Sequence, residues 1–438
     1  VLCVCPLYID KFSNLGVTKF TGCFTLFLLF LLWLVACTAI GARAPRPRNA
    51  NAGRDVTLWG VLAFASTSLI STFTSLSPTA STWGLGGYYG GLMLVLFTAA
   101  GYWAVRSYLD LENLDFVFWV LGITTSIVAV LYVLNIFNID LIGAYADTAV
   151  VERAQFFSTL GQKDFNGCFF SVALPIVFYQ FLNAKDTRTA VWTGIPAAFG
   201  ALALAVVDSE ALALGIGAAV MVLVCHKNFT TRHLRRAALI SAAFFGWAAW
   251  MHYMRASVYT QGGTALLAKL GAWQVALPCM AASLLLWLVL FVLARKGIAA
   301  QAPLYLPGRV ITIAVLAGGG GGVVVALAFV LANAMPNLPL PASLHNLLVF
   351  NDDWGTYRGV AWRAAFGTWA DGSLLRKIVG IGPGMMHTAV AAWAGDAMTA
   401  RMATFYAAHN EYLEQLLTTG ILGLAAWLLL VAAPPRGG

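Results

Sequence analysis

Charge is scarce in this chain. Of its 438 residues, 10% are Asp, Glu, Lys or Arg, against about 25% in soluble domains. Hydrophobic residues make up 60%, and the mean hydropathy is +0.79. A water-soluble globule could not hide that much apolar surface, because roughly 55–60% of any folded surface is apolar already. A soluble enzyme, a DNA-binding protein and a disordered chain are therefore excluded. A disulfide framework is lacking too. The seven cysteines (Cys3, Cys5, Cys23, Cys37, Cys168, Cys225 and Cys279) lie in or beside apolar runs and show no zinc-ligand spacing. They read as small packing residues. The net charge is +8, yet no basic stripe interleaved with aromatics exists, so nucleic acid is not an expected partner. In a membrane protein such charge sits in short loops and sets topology.

What is present is a succession of apolar runs. They predict an all-α, polytopic integral membrane protein with about twelve transmembrane helices, each near the ~20 residues that a bilayer needs. Val1–Ile9 reads as the end of a first span whose start is missing. Further spans are expected near 18–41, 57–76, 84–105, 115–137, 164–183, 189–207, 210–225, 234–251, 271–294, 308–332 and 409–432. Asp208-Ser209-Glu210 reads as a tight hairpin between two short spans. The run Gly318–Gly322 reads as close helix packing through small residues.

Alternate loops hold Arg43, Arg46, Arg48 and Arg54, then Arg106, Lys185 and Arg188, then Lys227, Arg232, Arg235 and Arg236, then Arg295, Lys296 and Arg309. Positive charge marks the cytoplasmic side, so the loops at 138–163, 252–270 and 333–408 face outward. The chain then divides into a transmembrane bundle (1–332), a large extracytoplasmic loop with amphipathic helices (333–408) and a last span (409–438). Inside the loop, Arg358, Trp362, Ala365 and Trp369 recur at helical spacing. So do Arg401, Phe405, His409, Tyr412 and Leu416, which predicts a second amphipathic helix over Thr399–Leu417.

Informative polar residues collect in the outward loops. Arg153 and Lys163 flank Gly161, whose backbone freedom suits a turn before the next span. Arg358 and Arg363 precede Gly380-Ile381-Gly382-Pro383-Gly384. No strand precedes those glycines and no Lys-Ser/Thr follows, so they read as a Gly/Pro turn and not as a phosphate loop. Asp352-Asp353 lacks the further ligands a cation needs. His409 opens the last span with Asn410, Glu411 and Tyr412, and His is the side chain best suited to proton transfer near neutral pH. Arg binds phosphate oxygens two at a time. One outward surface with several Arg and one His is coherent as a metal-free site for a lipid diphosphate.

Tyr357-Arg358 through Trp362, the Gly380–Gly384 turn, and His409-Asn410-Glu411-Tyr412-Leu413-Glu414 to Gly420-Ile421-Leu422-Gly423-Leu424 resemble the O-antigen ligase and O-antigen polymerase family. Arg153 with Leu160-Gly161-Gln162, Asn166 and Pro175 is similar to that family's earlier motif. The resemblance implies a glycosyltransferase of C-type architecture in the bacterial inner (plasma) membrane. It implies transfer of a glycan from undecaprenyl diphosphate to a lipid A-core-like acceptor, or to another carrier-linked glycan, without metal or other cofactor. It also implies His409 as base with Arg358 as catalytic partner, and Arg153, Arg358, Arg363 and Arg401 as diphosphate ligands. Gly161, Asn166, Trp362, Gly382, Asn410 and Tyr412 are its supporting positions. Two departures stand out. Asp208-Ser209-Glu210 occupies the place where many members carry Ser-Arg-Gly, and the chain stops soon after the His-Asn span, as a fragment would.

The competing reading is a secondary transporter or flippase for lipid-linked glycans. It calls for two matching halves and charge at mid-membrane. No second half is evident, and only Asp208 and Glu210 could form a buried proton relay. A scaffold without chemistry gives no reason for Arg and His to gather on one face.

Overall fold

Long helices dominate the computed structural model, which describes residues 4–40, 56–85, 89–108, 114–257, 269–298, 301–304, 308–335, 339–399 and 405–433. The helices are α1 Leu15–Ala39, α2 Val56–Phe73, α3 Pro78–Trp83, α4 Leu92–Tyr108, α5 Leu114–Ile136, α6 Lys163–Asn183, α7 Thr187–Val206, α8 Glu210–Cys225 and α9 Thr231–Ser257. They continue with α10 Trp273–Arg295, α11 Gly308–Ala334, α12 Ala342–Leu348, α13 Trp354–Ala370, α14 Leu374–Val379, α15 Met386–Thr399, α16 Glu411–Thr418 and α17 Gly420–Ala432. Strands among the described residues are confined to a two-residue antiparallel pair, β1 Phe156–Phe157 and β2 Gly161–Gln162. The protein is an all-α membrane protein.

Among the described residues six helices are long and apolar enough to cross a bilayer: Phe12–Cys37, Val56–Phe73, Leu114–Ile136, Lys163–Asn183, Thr187–Val206 and Trp273–Arg295. Leu92–Arg106, Glu210–Cys225 and Gly420–Ala432 are apolar but shorter, and Gly318–Ala334 is an apolar part of the 27-residue α11. Turns shorten two of the expected spans, at 84–105 and at 409–432. The run at 84–105 begins with a turn around Gly84, which has φ +85, before α4 starts.

The chain folds as two compact units. One comprises Val1–Cys23 with Asp110–Leu316, and the other Phe24–Leu109 with Ala317–Gly438. In the first unit, α5 buries Val128 and Tyr132, α6 buries Phe170 and Leu174, and α7 buries Leu202 and Val206. Each pair is four residues apart and so shares one helix face. In lipid such faces gain from close packing more than from leaving water. In the second unit, α13 presents Val360, Ala361, Ala364 and Ala365 to Met386 and Val390 of α15, and to Phe405, Ala408 and Leu417. Small residues on α13 let these backbones approach closely. Arg358 and Arg363 stay on its exposed side.

Four expectations change. Residues 4–7 form turns and not the end of a helix, and the Lys19 ammonium holds the Cys5 and Pro6 carbonyls. The helix expected over Thr399–Leu417 is absent from the described part before Glu411: residues 405–410 are non-helical and Asn410 starts α16. The last span is broken, because α16 ends at Thr418 and α17 starts at Gly420 with φ +70. Gly318–Gly322 makes no close packing among the described residues either, since a Cβ at any of the five would meet none of their atoms within 4 Å. The helix break at Asp208-Ser209 stands as expected between α7 and α8, although α8 packs against α6, and Arg358–Trp369 lies inside α13.

Candidate functional site

The matched motifs fall into both units. Arg153, Gly161 and Asn166 belong to the first, and Arg358, Arg363, Trp362, Gly382, His409, Asn410 and Tyr412 to the second. Arg401 lies outside the described residues, as do Arg43, Arg46, Arg48 and Arg54.

In the second unit the geometry centres on Ala408, which is fully buried. Its carbonyl accepts the Trp362 indole N–H at 2.9 Å. Its own N–H donates to the Glu414 carboxylate at 2.8 Å. The residue immediately before His409 is therefore gripped at both backbone groups, once from α13 and once from α16. Asn410 then caps α16, its side-chain oxygen accepting from the Tyr412 and Leu413 N–H groups at 3.1 and 3.3 Å. Such a cap stabilises a helix by about 1 kcal/mol. Glu411 and Glu414 in the first turn suit the positive end of the helix dipole. Burial pushes the Glu414 carboxyl up to about 7; the Ala408 N–H opposes that rise and Glu411 adds to it.

His409 itself has φ +49, a left-handed backbone that costs a non-glycine residue roughly 1–2 kcal/mol. Its ring is exposed and meets the Phe405 ring edge-on at 5.9 Å. Of the five non-glycine residues with positive φ among the described residues, His409 and Tyr357 flank or form the second unit's motifs, and Ser158 lies in the first unit's motif. Strain of this kind persists only where the surroundings hold it, and it gathers at functional sites.

The Gly380–Gly384 turn serves the helix break. Ile381 and Gly382 donate their N–H groups to the Leu417 and Thr418 carbonyls at 3.2 and 2.9 Å. Ser71 of α2 donates its hydroxyl to the same Thr418 carbonyl at 2.6 Å. Contact is so close that a Cβ at Gly380 would stand 2.2 Å from the Thr418 oxygen, and one at Gly420 2.3 Å from the Ile378 oxygen. The turn's amides face protein carbonyls, which agrees with a Gly/Pro turn and not with a phosphate loop.

Arg358 lies one helical turn before Trp362 on α13 and is exposed. The Arg363 guanidinium bonds to the Asp352 carboxylate.

In the first unit, Arg153 is half-buried. Its Nε donates to the Thr148 carbonyl at 3.5 Å, and its guanidinium lies over the Tyr145 ring, 5.4 Å from the centroid. Gly161 (φ +82) closes the β1–β2 hairpin, where a Cβ would sit 2.4 Å from a Leu15 methyl. Asn166, fully buried, donates to the Phe157, Gly161 and Gln162 carbonyls and accepts from the Ser158 hydroxyl at 2.6 Å. Gly161 and Asn166 thus build the loop that carries Arg153. Lys163 pairs with Asp208 at 3.7 Å. Asp208 and Glu210 are both exposed, which removes them as a buried proton relay.

Sequence reasoning assigned no role to Glu414. The signal was its position four residues after a capping Asn, where a carboxylate can reach back over the first turn. Compared with family models, with curated proteins and with solved structures, the chain matches none.

Proposed function

We propose that this membrane protein is a glycosyltransferase of about twelve spans in the bacterial plasma membrane. It transfers a glycan from an undecaprenyl diphosphate carrier to an acceptor hydroxyl on the outer face. The resemblance of its motifs to O-antigen ligases and polymerases supports the activity. The observation that carries it is the double grip on Ala408: Trp362, 46 residues away in sequence, and Glu414 jointly fix the strained backbone of His409. A packing role alone gives no reason to hold an exposed imidazole in a costly conformation.

In this reading His409 takes the proton from the acceptor hydroxyl. The acceptor oxygen bonds to the anomeric carbon as the bond from that carbon to the diphosphate oxygen breaks. The electron pair leaves with undecaprenyl diphosphate. Charge on that leaving group is the quantity to stabilise, and a guanidinium does so with two parallel donors. Arg358 is the first candidate, with Arg153 and Arg401 added by resemblance. Arg363 would have to exchange its bond to Asp352 for the substrate. The acceptor is a lipid A-core-like glycolipid for a ligase and a second carrier-linked glycan for a polymerase.

The test is reconstitution of the full chain in liposomes with undecaprenyl-diphosphate glycan and each acceptor in turn. Acceptor-dependent glycan transfer supports the reading and separates ligase from polymerase. Absence of transfer to either acceptor, with the chain correctly inserted, refutes it.

A further inference from the structure

In the first unit, residues 4–8 are held against the start of α1 by three contacts. The Lys19 ammonium donates to the Cys5 and Pro6 carbonyls at 2.9 and 2.7 Å. Gly22 leaves room for the Tyr8 ring, which a Cβ there would approach to 2.6 Å. The Cys23 thiol meets that of Cys5, with the two sulfurs 3.0 Å apart. Gly22 and Cys23 follow Lys19 by three and four residues and so share its helix face. From sequence the cysteines read as packing residues, yet here two free thiols, one buried and one half-buried, face each other. A sulfur–sulfur bond is about 2.05 Å long. Closure therefore brings the two atoms together by about 1 Å, a shift within the reach of side-chain rotation. Lys19 holds the backbone of Cys5, and α1 holds that of Cys23, so the two thiols stay opposite one another.

The same segment supports the turn that carries Gly161. Thr159, which is buried, donates its hydroxyl to the Pro6 carbonyl at 2.5 Å. Leu7 packs against the core that includes Phe157. Leu15, at the start of α1, is the residue that a Cβ at Gly161 would strike. We propose that Cys5 and Cys23 are a disulfide-forming pair, whose bond fastens residues 4–8 to α1 and braces the Phe157–Gly161 turn. The reaction is exchange with the disulfide of a small or protein thiol. The half-buried Cys23 thiol loses its proton, and its sulfur attacks that disulfide and expels one thiolate. The Cys5 sulfur then attacks Cys23 in the mixed disulfide and expels the second. The chain gives up two hydrogens and two electrons, and the donor disulfide takes them up as two thiols. Such donors act on the outer side of a plasma membrane. The charged loops assign residues 138–163, and with them Thr159, to that side. The bond requires nothing of the transferase reading.

The test uses the full chain in nanodiscs, oxidised with diamide and then unfolded in dodecyl sulfate with maleimide-polyethylene glycol, which adds one polymer to each free thiol. The seven cysteines give seven adducts in the reduced chain, and seven less the bonded two, five, are expected after diamide. Dithiothreitol should restore all seven. Digestion without reductant should release two peptides joined through Cys5 and Cys23. Cys3 lies outside the described residues, so Cys3→Ser is the control: its six thiols should fall to four. Adding Cys23→Ser to that variant should abolish the fall. Hydrogen exchange at the Ser158–Gly161 amides should slow roughly tenfold on oxidation. An unchanged adduct count after diamide overturns the pairing, as does a cross-link between two copies of the chain or a bond from Cys5 or Cys23 to any other cysteine. A Cys5–Cys23 bond that leaves exchange at 158–161 unchanged overturns the brace.

Discussion

Trp362→Phe isolates the grip on the His409 loop. The substitution keeps an aromatic ring among Phe350 and Trp354, whose rings lie 6.2 and 5.1 Å from that of Trp362. It removes the one N–H that the Ala408 carbonyl accepts from α13. Ala408 is fully buried, so its carbonyl is left without that partner in a dry site, at a cost of about 2 kcal/mol. The loop then relaxes, and His409 loses part of the force holding its positive φ. Displacement of a reacting group by about 1 Å slows catalysis about 100-fold. Trp369→Phe is the control. It removes a comparable indole bond on the same helix, one made to the Lys377 carbonyl at 3.2 Å and not to Ala408. Both variants should lose similar thermal stability in reconstituted vesicles. Only Trp362→Phe should lose glycan transfer, through kcat and not KM. If both variants lost transfer equally, or if Trp362→Phe lost none, the grip would be structural and the reasoning would fail.

Other outcomes follow from the same geometry. His409→Ala should abolish transfer while leaving membrane insertion and thermal unfolding unchanged, because the ring is exposed; wild-type turnover in liposomes would remove it as the base. Arg358→Lys keeps the charge but loses the two-pronged donor, so transfer should fall at least tenfold (about 1.4 kcal/mol), measured with purified carrier-linked glycan; an unchanged rate would argue against a diphosphate clamp. Gly420→Ala sets a Cβ 2.3 Å from the Ile378 oxygen at φ +70 and should cost about 3 kcal/mol, whereas Gly318→Ala, in open space inside α11, should be neutral or stabilising. Unfolding temperatures compare the two directly. Glu414, raised to about 7 from an ordinary 4.5, is protonated more readily in the folded chain than in the unfolded one. Its contribution is fully present below about pH 4.5 and fades as pH rises through 7, a loss of about 3 kcal/mol. Unfolding from pH 4 to 8 should show this slope in the unaltered chain and not in Glu414→Gln; parallel slopes would place the titration elsewhere.

Class and much of the helix content were legible because they rest on quantities a sequence carries directly: charge density, apolar run length and spacing. The same holds for α13, expected from the helical recurrence of Arg358, Trp362, Ala365 and Trp369, although the face it buries is the one carrying Val360, Ala361, Ala364 and Ala365. Reading failed where a local cap overrode periodicity. Phe405, His409, Tyr412 and Leu416 sit at helical spacing, yet Asn410 turns its side chain onto the following amides and starts α16 there. Phe405 and His409 are left on a non-helical loop. Asn is favoured at such caps because its side chain competes for backbone donors, and Glu414 four residues on was the second sign. The glycine run 318–322 misled for the opposite reason: small residues permit close packing but do not require it.

Breaking the last apolar run changes what His409 can be. A continuous helix through 409–432 would place the imidazole on a helix surface, where rotation about the axis is its main freedom. With the break at Thr419–Gly420, α16 becomes a separate element, tied at one end to the Gly380–Gly384 turn and to Ser71. At the other end it is tied through Glu414 and Ala408 to Trp362. Three sequence-distant motifs thereby act on one eight-residue helix. Neither tie suffices by itself. Without the glycines, a Cβ would push the carbonyl end of α16 off the turn. Without Trp362 or Glu414, the His409 backbone would lose what holds its strained angle. Shared dependence of this kind makes Trp362, Gly380 and Glu414 positioning residues for His409, and it predicts non-additive losses when any two are changed together.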